Sequence, residues 1–257
     1  MDLPEGTSGS EPTTAEILAE VERRREQARP QLGDRQRRLI LAADRLLFWL
    51  SKRWLAIANS LAVTYIALPI LAPVLMHVGL TVPAAALYAL YDPLCNQLPQ
   101  RSWFLFGAQY SYGIDELNEL LGEEHGIDRW DSGFVGSEAV GYKMALCQRC
   151  TSMHLAIAAC GVAYALLRRK YSIRPLPWWA YVALFLPMAL DGGYQLLTYI
   201  TAQLWPRGPI QPHETSPLMR LITGALGGIA TIWLAYPHLA EAMDDLRDTL
   251  SRRFGWE

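Results

Sequence analysis

LAIANSLAVTYIALPILAPVLMHVGLTVPAAALYAL, residues Leu55 to Leu90, contains no Asp, Glu, Lys or Arg. Crossing the ~30 Å hydrocarbon layer of a bilayer takes about 20 apolar helical residues. Leu55 to Gly79 is therefore read as a first membrane span, with Pro69 and Pro73 as kink sites. The apolar run from Leu80 to Tyr91, past Pro83, is too short to cross again and is read as a re-entrant or interfacial segment.

Upstream, Leu39, Ala43, Leu46 and Leu50 share one helical face while Arg38, Arg45 and Lys52 share another, so Arg35 to Arg53 is expected to form an interfacial amphipathic helix. A packed helix with one solvated face fits the same pattern. Thr13-Thr14-Ala15-Glu16 reads as a capping box opening a charged helix that runs to about Ala28 and is closed by Pro30. Residues 1–12, rich in Gly, Ser, Pro and Glu, are expected to be a disordered tail.

Downstream, Asp92 to Leu146 is a polar connection. Span two runs from Cys150 to Leu167 and stops at Arg168-Arg169-Lys170. Span three runs from the interfacial pair Trp178-Trp179 to Ile200. Span four, Leu218 to Tyr236, contains the small-residue run Gly224-Ala225-Leu226-Gly227-Gly228, which lets a neighbouring helix approach. The expected fold is all-α: a polytopic helical membrane protein with about four transmembrane helices. It comprises a tail (1–12), cytoplasmic or interfacial helices (13–53), a membrane domain (54–236) with an outer loop (92–146), and a cytoplasmic amphipathic tail (237–257).

Orientation follows from the basic residues. Ten of the 23 Lys and Arg lie in the first 53 residues, four lie between spans two and three, and three lie in the C-terminal tail. The outward candidates, 80–149 and 201–217, carry only five. The positive-inside rule then puts both termini in the cytoplasm of a multi-pass plasma-membrane protein. No apolar core with a small-residue cleavage site is found near the start, so the first span is expected to direct insertion. A net charge of −2, with basic residues beside apolar spans, argues against nucleic-acid binding. The expected partners are membrane lipids and subunits of a membrane complex.

Cys147-Gln148-Arg149-Cys150 stands where the polar connection enters span two. Cysteines at i and i+3 share one helical face, close enough for a disulfide or one metal ion, and a helix N-terminus stabilises thiolate. Cys95 supplies a third sulfur, and His154 lies one turn beyond Cys150. Cys95, Cys147, Cys150 and His154 could thus form a closed Cys₃His site, with zinc the metal. The same sulfurs could instead perform thiol exchange, passing electrons to quinone, a cofactor ranked behind zinc. A third reading is a disulfide that staples the loop to span two. Cys160, in mid-span, is read as a small buried hydrophobe.

Asp191, inside span three, requires a partner, and Arg220 or Arg149 can supply it. A plain ion pair locking two helices explains Asp191 as well as a site does. Cys147, Cys150 and Asp191 are the candidates for chemistry. Arg101, Arg149, Gln195, Arg220 and Thr223 are the candidates for binding an anionic ligand, such as a lipid headgroup or a quinone carbonyl. His125, His213 and His238 read as solvated residues, and Asp115, Glu116, Glu119, Glu123 and Glu124 as a solubilising acidic helical face. No glycosidase, protease or phosphate-cradling motif is evident.

Cys95-Asn96-Gln97-Leu98-Pro99-Gln100-Arg101-Ser102-Trp103-Phe104, Cys147-Gln148-Arg149-Cys150-Thr151, Asp191-Gly192-Gly193-Tyr194-Gln195 and Arg220-Leu221-Ile222-Thr223-Gly224 together resemble a prokaryotic membrane-protein family of unassigned function. Its members carry Cys-His-Gln-x-Pro-x-Arg-Ser-Phe-Phe, Cys-x-Arg-Cys-Thr-Gly, Asp-Gly-x-x-Gln and Arg-x-x-Thr-Gly in that order. The resemblance covers about Pro93 to Tyr236. This chain has Asn96 where the family has His, has Ser152 where it has Gly, and inserts most of 108–146. If the family's His is a metal ligand, His154 would have to replace it here. The resemblance implies a membrane protein with a Cys-centred site and assigns no reaction. The alternative is a non-enzymatic complex subunit or scaffold whose cysteines form a structural disulfide.

Overall fold

The computed structural model describes residues 13–27, 33–122, 126–205 and 207–256. The expectations for residues 1–12, Ala28, Pro30, Glu123, Glu124 and His125 fall outside them. The chain divides into two compact units, residues 1–49 and 50–257. In the first unit, helix α1 (Thr14–Gln27) begins as a half-formed capping box, in which the Thr13 backbone N–H donates to the Glu16 carboxylate at 2.8 Å. The start of helix α2 leaves Leu39, Ile40, Leu46 and Leu47 exposed, with Arg38 and Arg45 exposed as well.

Helix α2 runs unbroken over Asp34–His77, so the separate helix expected at 35–53 and the first span are one element. The chain has no glycine or proline between Asp34 and Pro69, and nothing at Ser51-Lys52-Arg53 breaks the hydrogen-bond ladder. Pro69 and Pro73 lie buried inside the helix, and the Tyr65 carbonyl that Pro69 leaves without its helical donor accepts from the Tyr91 hydroxyl at 2.6 Å. Gly79, at φ +81°, ends the helix in a Schellman turn, with Gly79 N–H bonded to Met76 O at 3.1 Å and Leu80 N–H to Leu75 O at 2.8 Å. Helix α3 (Thr81–Tyr91) takes up the short apolar run.

Helix α5 (Gln148–Leu167), helix α6 (Trp178–Leu204) and helix α7 (Pro217–Phe254) follow after the polar connection. Helix α7 passes straight through Pro237, so the fourth expected span and the C-terminal segment are also one element. Among the described residues, three helices are long and apolar enough to cross a membrane: α2, α5 and α7. The fold is the mostly helical membrane class expected, with three candidate spans where about four were counted from sequence. Helix α6 has the length, with 27 residues, but Asp191, Gly192, Gly193 and Gln195 dilute its apolar middle.

Small residues set the packing. A Cβ on Gly224 would stand 2.5 Å from Arg149 O, and one on Gly228 would collide with Met153 O, so α5 and α7 touch backbone to backbone. Asn59 of α2 donates to Gly161 O of α5 at 2.9 Å and accepts from the Tyr236 hydroxyl of α7 at 3.0 Å, tying three helices at one point. Trp54, Tyr164, Ile232, Tyr236 and Ala240 bury around that tie.

The segment 92–146, expected only as a polar connection with an acidic helical face, contains a small antiparallel sheet whose last strand runs on to Cys147. Strands β1 (Ser102–Leu105), β2 (Gly136–Ser137) and β3 (Gly141–Cys147) pair in the order β1-β3-β2. Helix α4 (Ile114–Leu121) packs there on Phe104, Tyr112, Ile127 and Val140 through Leu117. The inserted segment thus has its own core. Gly141, at φ +79°, lies against Gly107 and Leu105 O too closely for any side chain. This sheet is the only β structure among the described residues.

Candidate functional site

The sheet register brings the sulfurs together. Ser102 of β1 pairs with Cys147 at the end of β3, so the segment leading into β1 runs back past the start of α5. Two short 3-10 turns, Asp92–Leu94 and Pro99–Arg101, fold that segment and hold Cys95 between them. Cys147 is the N-cap residue of α5, and Cys150 sits in its first turn. The sulfurs of Cys95, Cys147 and Cys150 lie within 4.8 Å of one another, and the Cys147 amide donates to Cys95 Sγ at 3.3 Å. A cavity of about 270 Å³ lined by these cysteines, Asn96, Gln97, Leu98 and Arg101 opens beside them.

Thiol hydrogen bonds from Cys150 and then Cys95 hold Cys147 well below the ordinary thiol pKa, helped by the Cys150 and Arg149 amides. The hydrogen bond to Cys147 pushes Cys95 up to about 11, and burial acts in the same direction. The cluster therefore stabilises one thiolate at Cys147, as the first turn of a helix favours. His154 does not join the group. Its Nδ1 lies 2.8 Å from Cys150 O, and its ring packs on Tyr65 at 4.5 Å. Cys160 is half-buried in the Tyr164–Tyr236 core, away from the other three.

Lys143, which no motif marks, is the buried cation of this region. It has no solvent exposure, and its ammonium donates to Gln97 O at 2.6 Å and Ser132 O at 2.7 Å. The ring closes through Gln97 Nε2 to Tyr88 O at 2.7 Å and the Tyr88 hydroxyl to Lys143 O at 2.5 Å. It fastens the Cys95 loop, in which Gln97 sits at φ +47°, to the strand that ends at Cys147. Burial lowers the Lys143 pKa to about 8, against the pull of Asp131, Cys95 and Asp92.

The arginines and carboxylates form a second cluster beside the first. Arg149 pairs with Asp191, whose other oxygen accepts from the Thr215 hydroxyl at 2.7 Å. Gly192 leaves room for the guanidinium, since a Cβ there would lie 2.9 Å from Arg149 Nη1. Arg220 pairs not with Asp191 but with Glu214, and also donates to Gln148 Oε1 at 3.0 Å and Gln100 O at 3.1 Å. Glu214 takes two further donors, Arg101 at 3.1 Å and Gln195 Nε2 at 2.9 Å. Arg101 also stacks over the Tyr199 ring at 3.9 Å.

Arg101, Arg149, Gln195 and Arg220 thus meet in adjoining parts of one polar cluster, whereas the Thr223 hydroxyl is spent on Met219 O of its own helix. Glu214, the hub, lies in none of the motifs. Its one signal in the sequence is an acid in the short polar turn just before α7. His213 is held through its backbone N–H, which donates to the Thr198 hydroxyl at 3.0 Å, and its ring packs on Tyr194 at 5.1 Å. His238 is exposed, as a solvated residue should be. Glu116 is used locally, accepting from Gly113 N–H and Gln109 Nε2.

Residues 139–234 match a family model described as "Predicted membrane protein (DUF2085)". The matched segment contains Cys147, Cys150, Asp191, Gln195 and Arg220, and begins after Cys95. The chain is a membrane protein similar to an uncharacterised, membrane-associated family, in agreement with the motif resemblance. An uncharacterized protein of Methanocaldococcus jannaschii, MJ1492, is 24% identical over 194 residues, which cover 73% of this chain and 93% of the relative. No solved structure matches the chain.

Proposed function

We propose that this membrane protein binds one soft metal ion, zinc first, through Cys95, Cys147 and Cys150, at the outer face of a plasma membrane, with α6 crossing as a fourth span beside α2, α5 and α7 so that both termini are cytoplasmic. The observation that carries the reading is the mutual approach of three sulfurs within 4.8 Å. A dithiol exchanger needs two sulfurs, whereas a zinc centre takes three or four protein ligands around one point, and three sulfurs at one point supply that number. Three protein ligands leave a coordination position for water or substrate, and the adjoining cavity provides space for one. The amide of Cys147 pointing at Cys95 Sγ and the buried Lys143 both offset thiolate charge, as outer groups around a metal centre do.

Metal analysis of the purified protein tests this. One zinc per chain is expected, lost in Cys147→Ser and in Cys95→Ser but kept in His154→Ala. Absence of metal with a reversible disulfide would replace the reading with thiol exchange. Absence of metal with an unreactive disulfide would leave a scaffold. After reduction, labelling of Cys95 by an impermeant thiol reagent from the outside tests the orientation, and labelling from the cytoplasmic side alone would overturn it.

A further inference from the structure

A second cavity, of about 500 Å³, shares Asn96, Leu98 and Arg101 with the sulfur cavity. Its polar wall carries Arg101, Arg149 and Gln195, with Asp92 as the single acid on the lining. Arg149, held on one side by Asp191, leaves its Nε without a hydrogen-bond partner among the described residues, although a guanidinium offers five donors. The lining also takes in the apolar Leu196 and Ile200 of α6, which are 60% and 44% exposed and continue into Leu197 and Leu204, at 62% and 82%. In a membrane protein such a stripe faces lipid, and the cavity joins it to the arginines.

We propose that this cavity takes the phosphate-type headgroup of a membrane amphiphile, with Arg149 and Arg101 as its donors and its chain lying along Leu196 and Ile200. Basic pockets between membrane helices recognise anionic headgroups through the same pairing of guanidinium with oxyanion. As the substrate class of the sulfur site it rests on the metal reading, because the shared residues put the headgroup next to the cysteines. The binding itself does not depend on a metal.

The test is titration of the purified full chain in neutral detergent with dihexanoyl phosphatidic acid, dihexanoyl phosphatidylcholine and inorganic phosphate, with and without prior chelator treatment. Phosphatidic acid should bind about 10- to 30-fold more tightly than phosphatidylcholine, the order expected of two arginines. Arg149→Gln combined with Asp191→Asn, which leaves no buried carboxylate unpaired, should abolish that preference. Leu196→Gln, at an exposed position, should weaken phosphatidic acid and leave inorganic phosphate unchanged. Equal binding of the two lipids, or an unaltered preference in the double variant, overturns the proposal. Inorganic phosphate binding as tightly as the lipid overturns the membrane source and assigns the cavity to a soluble oxyanion. A protein that holds no metal as purified yet prefers phosphatidic acid sinks the metal reading alone.

Discussion

Replacing Lys143 with Met should change how stability depends on pH more than it changes stability at pH 7. The buried ammonium titrates at about 8 instead of 10.5, so carrying the charge in the folded state costs about 3 kcal/mol. Below pH 8 folded and unfolded chains are both charged and the full cost is present. Between pH 8 and 10.5 the unfolded chain binds more protons than the folded one, so stability rises with pH and the cost is gone above 10.5. Methionine removes the charge but leaves Gln97 O and Ser132 O without their donor, a loss of roughly 1–3 kcal/mol each. At pH 7 gain and loss nearly cancel. The advantage of wild type over variant should then grow by about 3 kcal/mol from pH 8 to 10.5. Cys95, raised to about 11, works in the same pH range, so the comparison belongs in a Cys95→Ser, chelator-treated background. Mixed-micelle unfolding followed by tryptophan fluorescence supplies the free energies. A wild-type advantage that stays flat from pH 8 to 10.5 would refute the buried charged lysine.

Gly224→Ala and Gly228→Ala should each cost about 1–3 kcal/mol as α5 and α7 are forced apart, read as a lower midpoint in the same unfolding assay. Gly193→Ala, whose new methyl meets nothing within 4 Å, is the control and should be neutral or stabilising by up to ~1 kcal/mol. Asn59→Ala removes a donor and an acceptor shared by three helices and should cost about 1–3 kcal/mol; an unchanged midpoint would show that the tie is idle. Glu214→Gln should make Arg101→Gln and Arg220→Gln additive, whereas with Glu214 present the two should couple by about 0.5–3 kcal/mol in a double-mutant cycle.

The apolar helices are legible in the sequence because hydropathy needs only composition over a long window. Their continuity is not: boundaries drawn at Arg53 and Pro237 rest on charge and on proline, and neither ends a helix whose neighbours supply packing. The sheet escapes for a different reason. Ser102–Leu105 and Gly141–Cys147 are short, lie far apart in sequence, and pair only because the insertion folds on its own small core. The cysteines are visible as a trio, since Cys95 and the Cys-x-x-Cys are the sulfurs at the polar boundary. The choice of Arg149 over Arg220 as the partner of Asp191 depends on helix rotation, which no spacing reports.

Glu214 shows why that choice cannot be read ahead of the fold. Spacing can place Arg149 and Arg220 in the first turns of α5 and α7 and Asp191 along α6, and any carboxylate nearby could satisfy either arginine. What decides is a third party: Glu214 reaches back from the turn before α7 and accepts from Arg220, Arg101 and Gln195 at once. Arg220 is then engaged, and Asp191 is left to Arg149 and Thr215. Leaving a buried charge without a partner is strongly destabilising, so the pairing belongs to the whole network and to no single motif. The same argument ties the sulfur site to the membrane helices, because Arg149 sits between Cys147 and Cys150 in sequence and its guanidinium is fixed by α6.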